Sequence, residues 1–368
     1  MTTGSLTRAG IGPTTRGGYS VSARRWAWTA PVGIAVLGLT AMITISSIED
    51  LPIRDPDARY VGSPLALIGL VAAIFLILDL VPRTWREVRR SGASVPTTIA
   101  GLFRERWWGR RGAIVLVCLL SFYVTYLSYR NLKSYIPFVT DTTYDGFLLQ
   151  LERDLFFGTD PAQLLHSLLG TGVSAEILSF AYLAFLTFVP VSLGVALIWS
   201  SRLGQGIWYV TTLSITWLLG ALSYYLVPAL GPYFVRPGMF SDLPKTGVWH
   251  LQQKLLQHRA EVLADPASTN AVQSIAAFAS LHTAVVFAAA LIAHLVGAPR
   301  ALRIGLWTFL GLTELATIYF GWHYLVDDVA GIAIGFVAVW VGARLTGAEW
   351  RPFESLRERL QTSKRATA

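Results

Sequence analysis

Three apolar runs, ASLHTAVVFAAALIAHLVG (279–297), ALRIGLWTFLGLTELATIYF (301–320) and YLVDDVAGIAIGFVAVWVGAR (324–344), follow one another with only three residues between them. Each is close to the length of about 20 residues that a helix needs to cross a bilayer. Such short connections make neighbours antiparallel, so the chain crosses, returns and crosses again. Five further runs precede them, at 30–47, 64–81, 112–129, 174–198 and 205–226. The pattern predicts an all-α polytopic membrane protein with eight transmembrane helices. Composition agrees, with 53% hydrophobic and 14% charged residues among 368. Soluble chains carry roughly 25% charged residues. A soluble enzyme is thereby excluded, as is disorder, which needs low hydrophobicity and high charge. The single cysteine, Cys118, excludes a disulfide scaffold and a cysteine-based zinc site.

Eight spans put both termini on one side. That side holds 21 of the 30 lysines and arginines, in the N-terminal tail, the 83–111 segment, two short loops and the C-terminal tail. Basic loops mark the cytoplasm, so the expectation is a plasma (inner) membrane protein with cytoplasmic termini. The pI near 9.7 then reflects topology, and nucleic acid is not expected as a partner. The organisation expected is a flexible tail (1–29), a transmembrane hairpin (30–82), a basic interfacial linker (83–111), a six-helix core (112–345) and a second tail (346–368). The linker combines eight arginines with Trp85, Trp107 and Trp108, which suits the headgroup layer of the inner leaflet. On the opposite side two long polar segments, 130–173 and 227–278, are expected to hold two short helices and a helix at about 247–263.

Two of the six histidines sit at helix mouths on that opposite side. His282 opens the sixth span, and His323 lies between the seventh and eighth. Counting spans alone brings them to one membrane face. His323 and Asp327 are four apart and share a helix face. A carboxylate there accepts the proton of one imidazole nitrogen, leaving the other nitrogen as a nucleophile. His282 is then available to protonate a leaving oxygen. Two histidines and one carboxylate suit phosphoryl transfer through a phosphohistidine.

Ser280-Leu281-His282 and His323-Tyr324-Leu325-Val326-Asp327 resemble the second and third motifs of the type 2 phosphatidic acid phosphatase superfamily. With Gly321-Trp322-His323-Tyr324, Tyr144-Asp145 to Pro161, and Gly231-Pro232-Tyr233, the chain looks like the inositol phosphorylceramide synthase-like branch. The resemblance covers about 112–345. It implies a metal-independent enzyme without a cofactor, with a lipid phosphate as substrate and a polyol or water as acceptor. His323 would be the nucleophile, Asp327 its orienting acid, His282 the acid/base and Ser280 a phosphoryl ligand. The chain departs from the broad pattern at two cations. Thr317 stands where the family has an arginine six residues before the nucleophile. Ala229 stands where it has a lysine seven residues before Arg236-Pro237. Arg236, Lys245, Tyr233 and N–H groups at the start of the sixth span are the candidate replacements. Fewer cations suit a diester monoanion better than a monoester dianion, which favours a transferase.

Glu314 lies inside the seventh span, and an intramembrane acid is a functional candidate by default. The 247–263 helix, with His250 and His258, is a candidate lid. His166 and His294 read as structural, and Asp79 and Glu176 as interfacial. The competing function is a lipid transporter without covalent chemistry. Residues 1–184 and 185–368 show no matching halves, which counts against a repeat-built transporter.

Overall fold

In the computed structural model, which describes residues 26–55, 64–200 and 202–348, all eight apolar runs are helices, and the described residues contain no strand. They are α1 (Thr29–Ile48), α2 (Pro64–Ser91), α4 (Arg110–Val139), α7 (Val173–Gly194, continued by a π-turn to Trp199), α8 (Leu203–Leu226), α11 (Leu281–Leu295), α12 (Arg300–Tyr319) and α13 (Leu325–Thr346). Seven are long and apolar enough to cross a membrane. The eighth, α11, has 15 residues. It is shorter than the apolar run because residues 271–280 arrive without regular structure and Ser280 caps the helix, its hydroxyl accepting from Thr283 N–H.

Short helices fill the connections. They are α3 (Val95–Arg106), α5 (Asp145–Leu155), α6 (Pro161–Leu169), α9 (Pro232–Val235) and α10 (Gly247–Ala264). The pair expected over 130–173 is α5 and α6, and the helix expected near 247–263 is α10. Most of both expected tails lies outside the described residues.

Two spans run well past their predicted ends, each for a reason of charge. α2 continues to Ser91 because Asp79 is buried and partnered rather than interfacial. Arg83 Nε and Arg106 Nε donate to it at 3.0 and 2.7 Å, and Trp107 Nε1 at 3.3 Å. This draws α3 back along α2, so residues 83–106 are mostly helical. α4 continues ten residues beyond the predicted end, to Val139, carrying Arg130 and Lys133 inside the bundle. Asn131 between them is fixed by the α1–α2 connection. Its Oδ1 accepts from Arg54 N–H at 2.8 Å and its Nδ2 donates to Arg54 O at 2.7 Å.

α8 is the central helix, with Thr211, Thr212, Ser214 and Thr216 all buried. It packs against α1, α4, α11 and α13. Lipid offers no hydrophobic drive to join helices, so contacts rest on small residues that let backbones approach. The α11–α13 contact is of this kind. A Cβ built at Gly331 would lie 2.4 Å from Ser280 O, and one at Gly335 would lie 2.7 Å from Ala284 O. This contact sets the position of both histidines.

Candidate active site

Three helix ends converge. At the close of α12, Trp322 N–H donates to Thr317 O at 2.9 Å, which turns the chain into His323. α13 then opens with Asp327 folded back onto its own N-terminus, Oδ2 accepting from Tyr324 N–H at 2.9 Å. Ser280 N–H donates to Asp327 O at 3.0 Å, which ties the start of α11 to the same turn. The outcome is a chain of three groups. His323 Nδ1 lies 3.4 Å from Asp327 Oδ2, and His323 Nε2 lies 3.4 Å from His282 Nδ1. His282 is seated between Tyr182 and Phe185, with ring centroids 4.8 and 4.4 Å away. Tyr182 also stacks on Trp322, at 5.1 Å and 4°.

His323 is only 5% exposed. Burial, helped by the positive charge of Lys133, pushes its imidazole pKa down to about 3. At neutral pH the ring is therefore uncharged and keeps a lone pair, the state a nitrogen nucleophile needs.

A buried scaffold of acids holds the turn from behind. Asp145, at the start of α5, accepts from Leu230 N–H (3.0 Å), Gly231 N–H (2.9 Å) and Tyr324 Oη (3.0 Å). Glu152, two turns further on, accepts from Leu325 N–H, and burial pushes its carboxyl up to about 8. Asp328 accepts from Thr283 Oγ1 at 2.6 Å and Thr317 Oγ1 at 3.2 Å, joining α11, α12 and α13. Gly231 is required where it stands. It has φ +100°, and a Cβ there would lie 2.4 Å from Trp322 O.

In front of the histidines lies a cavity of about 290 Å³. Its walls are largely apolar, with Phe122, Tyr126, Leu193 and Trp217 toward its depth. Leu251 and Leu255 of α10 also line it, so this helix forms part of the cavity wall. α10 is anchored by Gln252 Nε2, which donates to Phe320 O at 2.9 Å. From Phe122 to Lys133 the wall of α4 extends about 16 Å by helical rise. That is roughly half the hydrocarbon thickness of a bilayer.

His282, His323 and Asp327 are thus brought together. The other predicted ligands are not. Ser280 is buried, with its hydroxyl engaged in capping α11. Arg236 is exposed outside the cavity, and Lys245 is exposed with its ammonium 5.2 Å from the Trp249 ring centroid. Tyr233 is buried, and its Oη accepts from Gln253 Nε2 at 2.8 Å. Glu314 is half-buried on α12, away from the cavity, with Oε1 lacking a hydrogen-bond partner among the described residues. His166 is structural as expected, its Nε2 lying 2.8 Å from Tyr319 O. The sequence reading overlooked Arg130 and Lys133, the two cations that line the cavity beside the histidines. Their signal was present. With Tyr126 and Tyr129 they form one i, i+3, i+4, i+7 face, but the hydropathy minimum they create reads as the end of the span. Among the described residues no group of three histidine, cysteine or acidic side chains is arranged to hold a metal ion.

The family model of the PAP2 superfamily matches residues 146–341, and the chain belongs to that superfamily. Comparison with curated proteins and with solved structures gives no match. The fold and the family together define an integral membrane protein of the lipid phosphatase and phosphotransferase type. The matched region contains α7, α8, α11, α12 and most of α13 but not α4, which contributes one wall of the cavity.

Proposed function

We propose that this protein moves a phosphoryl or phospho-alcohol group from a lipid phosphate to an acceptor through a phosphohistidine on His323, without a metal. The observation that carries this reading is the buried Asp327–His323–His282 chain at the head of an apolar cavity. Asp327 holds Nδ1, which leaves Nε2 as the attacking atom. On binding, the two imidazoles part to admit phosphorus. A bond forms between Nε2 and phosphorus while the bond from phosphorus to the leaving oxygen breaks, and His282 supplies that oxygen with a proton. An acceptor hydroxyl then attacks phosphorus, giving its proton to His282, and the nitrogen–phosphorus bond breaks.

A polyol such as inositol is the acceptor we favour, as in the inositol phosphorylceramide synthase-like branch. Supporting this branch, its characteristic stretches meet at one place. Tyr324 Oη donates to Asp145, Tyr233 N–H donates to Gly321 O at 2.8 Å, and Trp322 stacks over Tyr182. A largely apolar cavity also limits hydrolysis of a reactive intermediate. Hydrolysis to free phosphate is the second reading, and the two cations lining the cavity favour it, because they can carry a monoester dianion. By the distribution of basic residues, the site faces the extracytoplasmic side of the plasma membrane.

The test is rapid acid-free quenching of the purified protein after mixing with phospholipids labelled at phosphorus, with and without inositol. Acid-labile, base-stable label on the protein, lost in His323→Ala, is the expected result. Turnover by His323→Ala at the wild-type rate would remove the mechanism. An inositol-dependent phospho-product identifies a transferase, and free phosphate identifies a phosphatase.

A further inference from the structure

We infer that Arg130 and Lys133 of α4 bind the phosphate-ester oxygens of the substrate, taking the place of the cations missing at Ala229 and Thr317. The inference rests on the reading of His323 and His282 as the reacting pair, since it places the phosphate beside them. It adds two residues from a helix outside the matched family region.

The two side chains are three residues apart, on one face of α4. Both line the same cavity as His282 and His323. Neither has a carboxylate partner among the described residues. Arg130 Nε is buried with no hydrogen-bond partner, and the Lys133 ammonium rests 4.7 Å from the Tyr224 ring centroid. The nearby acids are committed elsewhere. Asp145 holds two N–H groups and Tyr324, Asp327 faces His323, and Asp328 accepts from two threonines. Both side chains are half-buried, and a partly buried cation without a counter-charge is costly, a cost relieved when an anion fills the site.

The stretch of α4 backbone that carries the pair is also held. Asn131 is bonded to the Arg54 backbone, Lys133 O accepts from Gln273 Nε2 at 3.3 Å, and Ser134 Oγ accepts from Gln273 N–H at 3.1 Å. Donors fixed in advance stabilise developing charge on phosphorus oxygens without reorganising. The same cavity continues from these cations into apolar walls. The ligand it fits is therefore an amphiphile carrying one phosphate ester, its chain lying along α4 and α7.

The vacancy at position 317 has a structural explanation. Thr317 Oγ1 donates to Asp328, so this place on α12 serves the α11–α12–α13 joint. An arginine there would meet a buried carboxylate instead of a substrate. The positive charge beside the histidines comes instead from α4.

The test measures binding in a His323→Ala background, which removes turnover from the comparison. The full chain in detergent is titrated with tritiated dioleoyl phosphatidic acid, with dioleoylglycerol, and with inorganic phosphate as a competitor. The parent is expected to prefer phosphatidic acid over dioleoylglycerol. Lys133→Met and Arg130→Gln should each reduce that preference about tenfold, the scale of a charge-assisted hydrogen bond. Lys133→Arg should retain most of it, and dioleoylglycerol should bind all variants alike. Competition by inorganic phosphate means that the anion alone suffices. Its failure to compete means that the site needs the lipid chain as well. A second readout separates ligand binding from a structural role: Lys133→Met should melt no lower than its parent without lipid, because it removes an uncompensated charge. A parent without preference for the phosphate-bearing lipid, or variants that keep it, would overturn the inference. Either result leaves the labelling of His323 to stand or fall on its own experiment.

Discussion

Gly331→Ala tests whether the close packing of α11 on α13 sets the reacting geometry. A Cβ at Gly331 would lie 2.4 Å from Ser280 O and 3.2 Å from Thr283 Cβ. Ordinary contact begins near 3.4 Å, so the start of α11 must retreat by about 1 Å. Ser280 O cannot rotate away, because it accepts the first helical hydrogen bond of α11, from Ala284 N–H at 3.1 Å. The retreat stretches the bond from Ser280 N–H to Asp327 O and carries His282, two residues along, away from His323. Overpacking of this size costs about 1–3 kcal/mol of stability. Displacement of a reacting group by about 1 Å costs on the order of 100-fold in rate. The assay is kcat and KM on the best substrate of a phospholipid panel, with thermal unfolding in detergent beside it. KM should change little, since the cavity walls near the lipid chain are not touched. Gly305→Ala and Gly311→Ala are the controls, because a Cβ at either meets nothing within 4 Å. Wild-type kcat in Gly331→Ala would refute the reasoning, as would an equal loss in the two controls.

Other outcomes follow from the same geometry. The acid limb of kcat/KM should fall well below pH 6.5, because burial and the Lys133 charge hold the His323 imidazole near 3. His282, Asp327, Glu152, Asp160, Arg130 and Lys133 are the titratable or charged groups that border His323 or share its cavities. Removing the opposing charge in Lys133→Met should move that limb upward, and a pH profile that does not move would count against their proximity. Asp145→Ala leaves two N–H groups and the Tyr324 hydroxyl without their acceptor. At about 1–3 kcal/mol for each unsatisfied buried group, the melting temperature should drop by many degrees, and an unchanged one would refute the scaffold role. Glu152 titrates near 8 when folded and near 4.3 when unfolded. Its folded-state pKa is raised, so its stabilisation is complete at low pH and is lost as pH rises from about 4 toward 8. Glu152→Gln keeps an acceptor for Leu325 N–H and should flatten the fall in melting temperature between pH 5 and 8.

The helices were legible because lipid leaves the backbone few alternatives. An apolar run of span length has to satisfy its own N–H and C=O groups. All eight runs obeyed, and the errors fell at charges. Arg83 in α2 and Arg130 in α4 look like span ends to a hydropathy reading, but their cost depends on what they face. Arg83 is paired with buried Asp79, and Arg130 faces an internal cavity. Asp79 stands only four positions before Arg83, but Arg106 reaches it from 27 positions away, and the cavity that Arg130 faces is not visible from neighbouring residues. The site divides in the same way. His323 and Asp327 share one turn, and His282 was placed beside them by counting spans. For phosphate ligands, sequence points to the neighbourhood of Arg236-Pro237, where adjacency to a motif is the guide. The short α9 turn leaves Arg236 on the surface, because the turn is set by Tyr233 N–H, which donates to Gly321 O 88 positions away. A charged pair on the aromatic face of a span was the better clue. Lipid would penalise Arg130 and Lys133 on an outward face, so their place inside that helix already required a polar interior for them to meet.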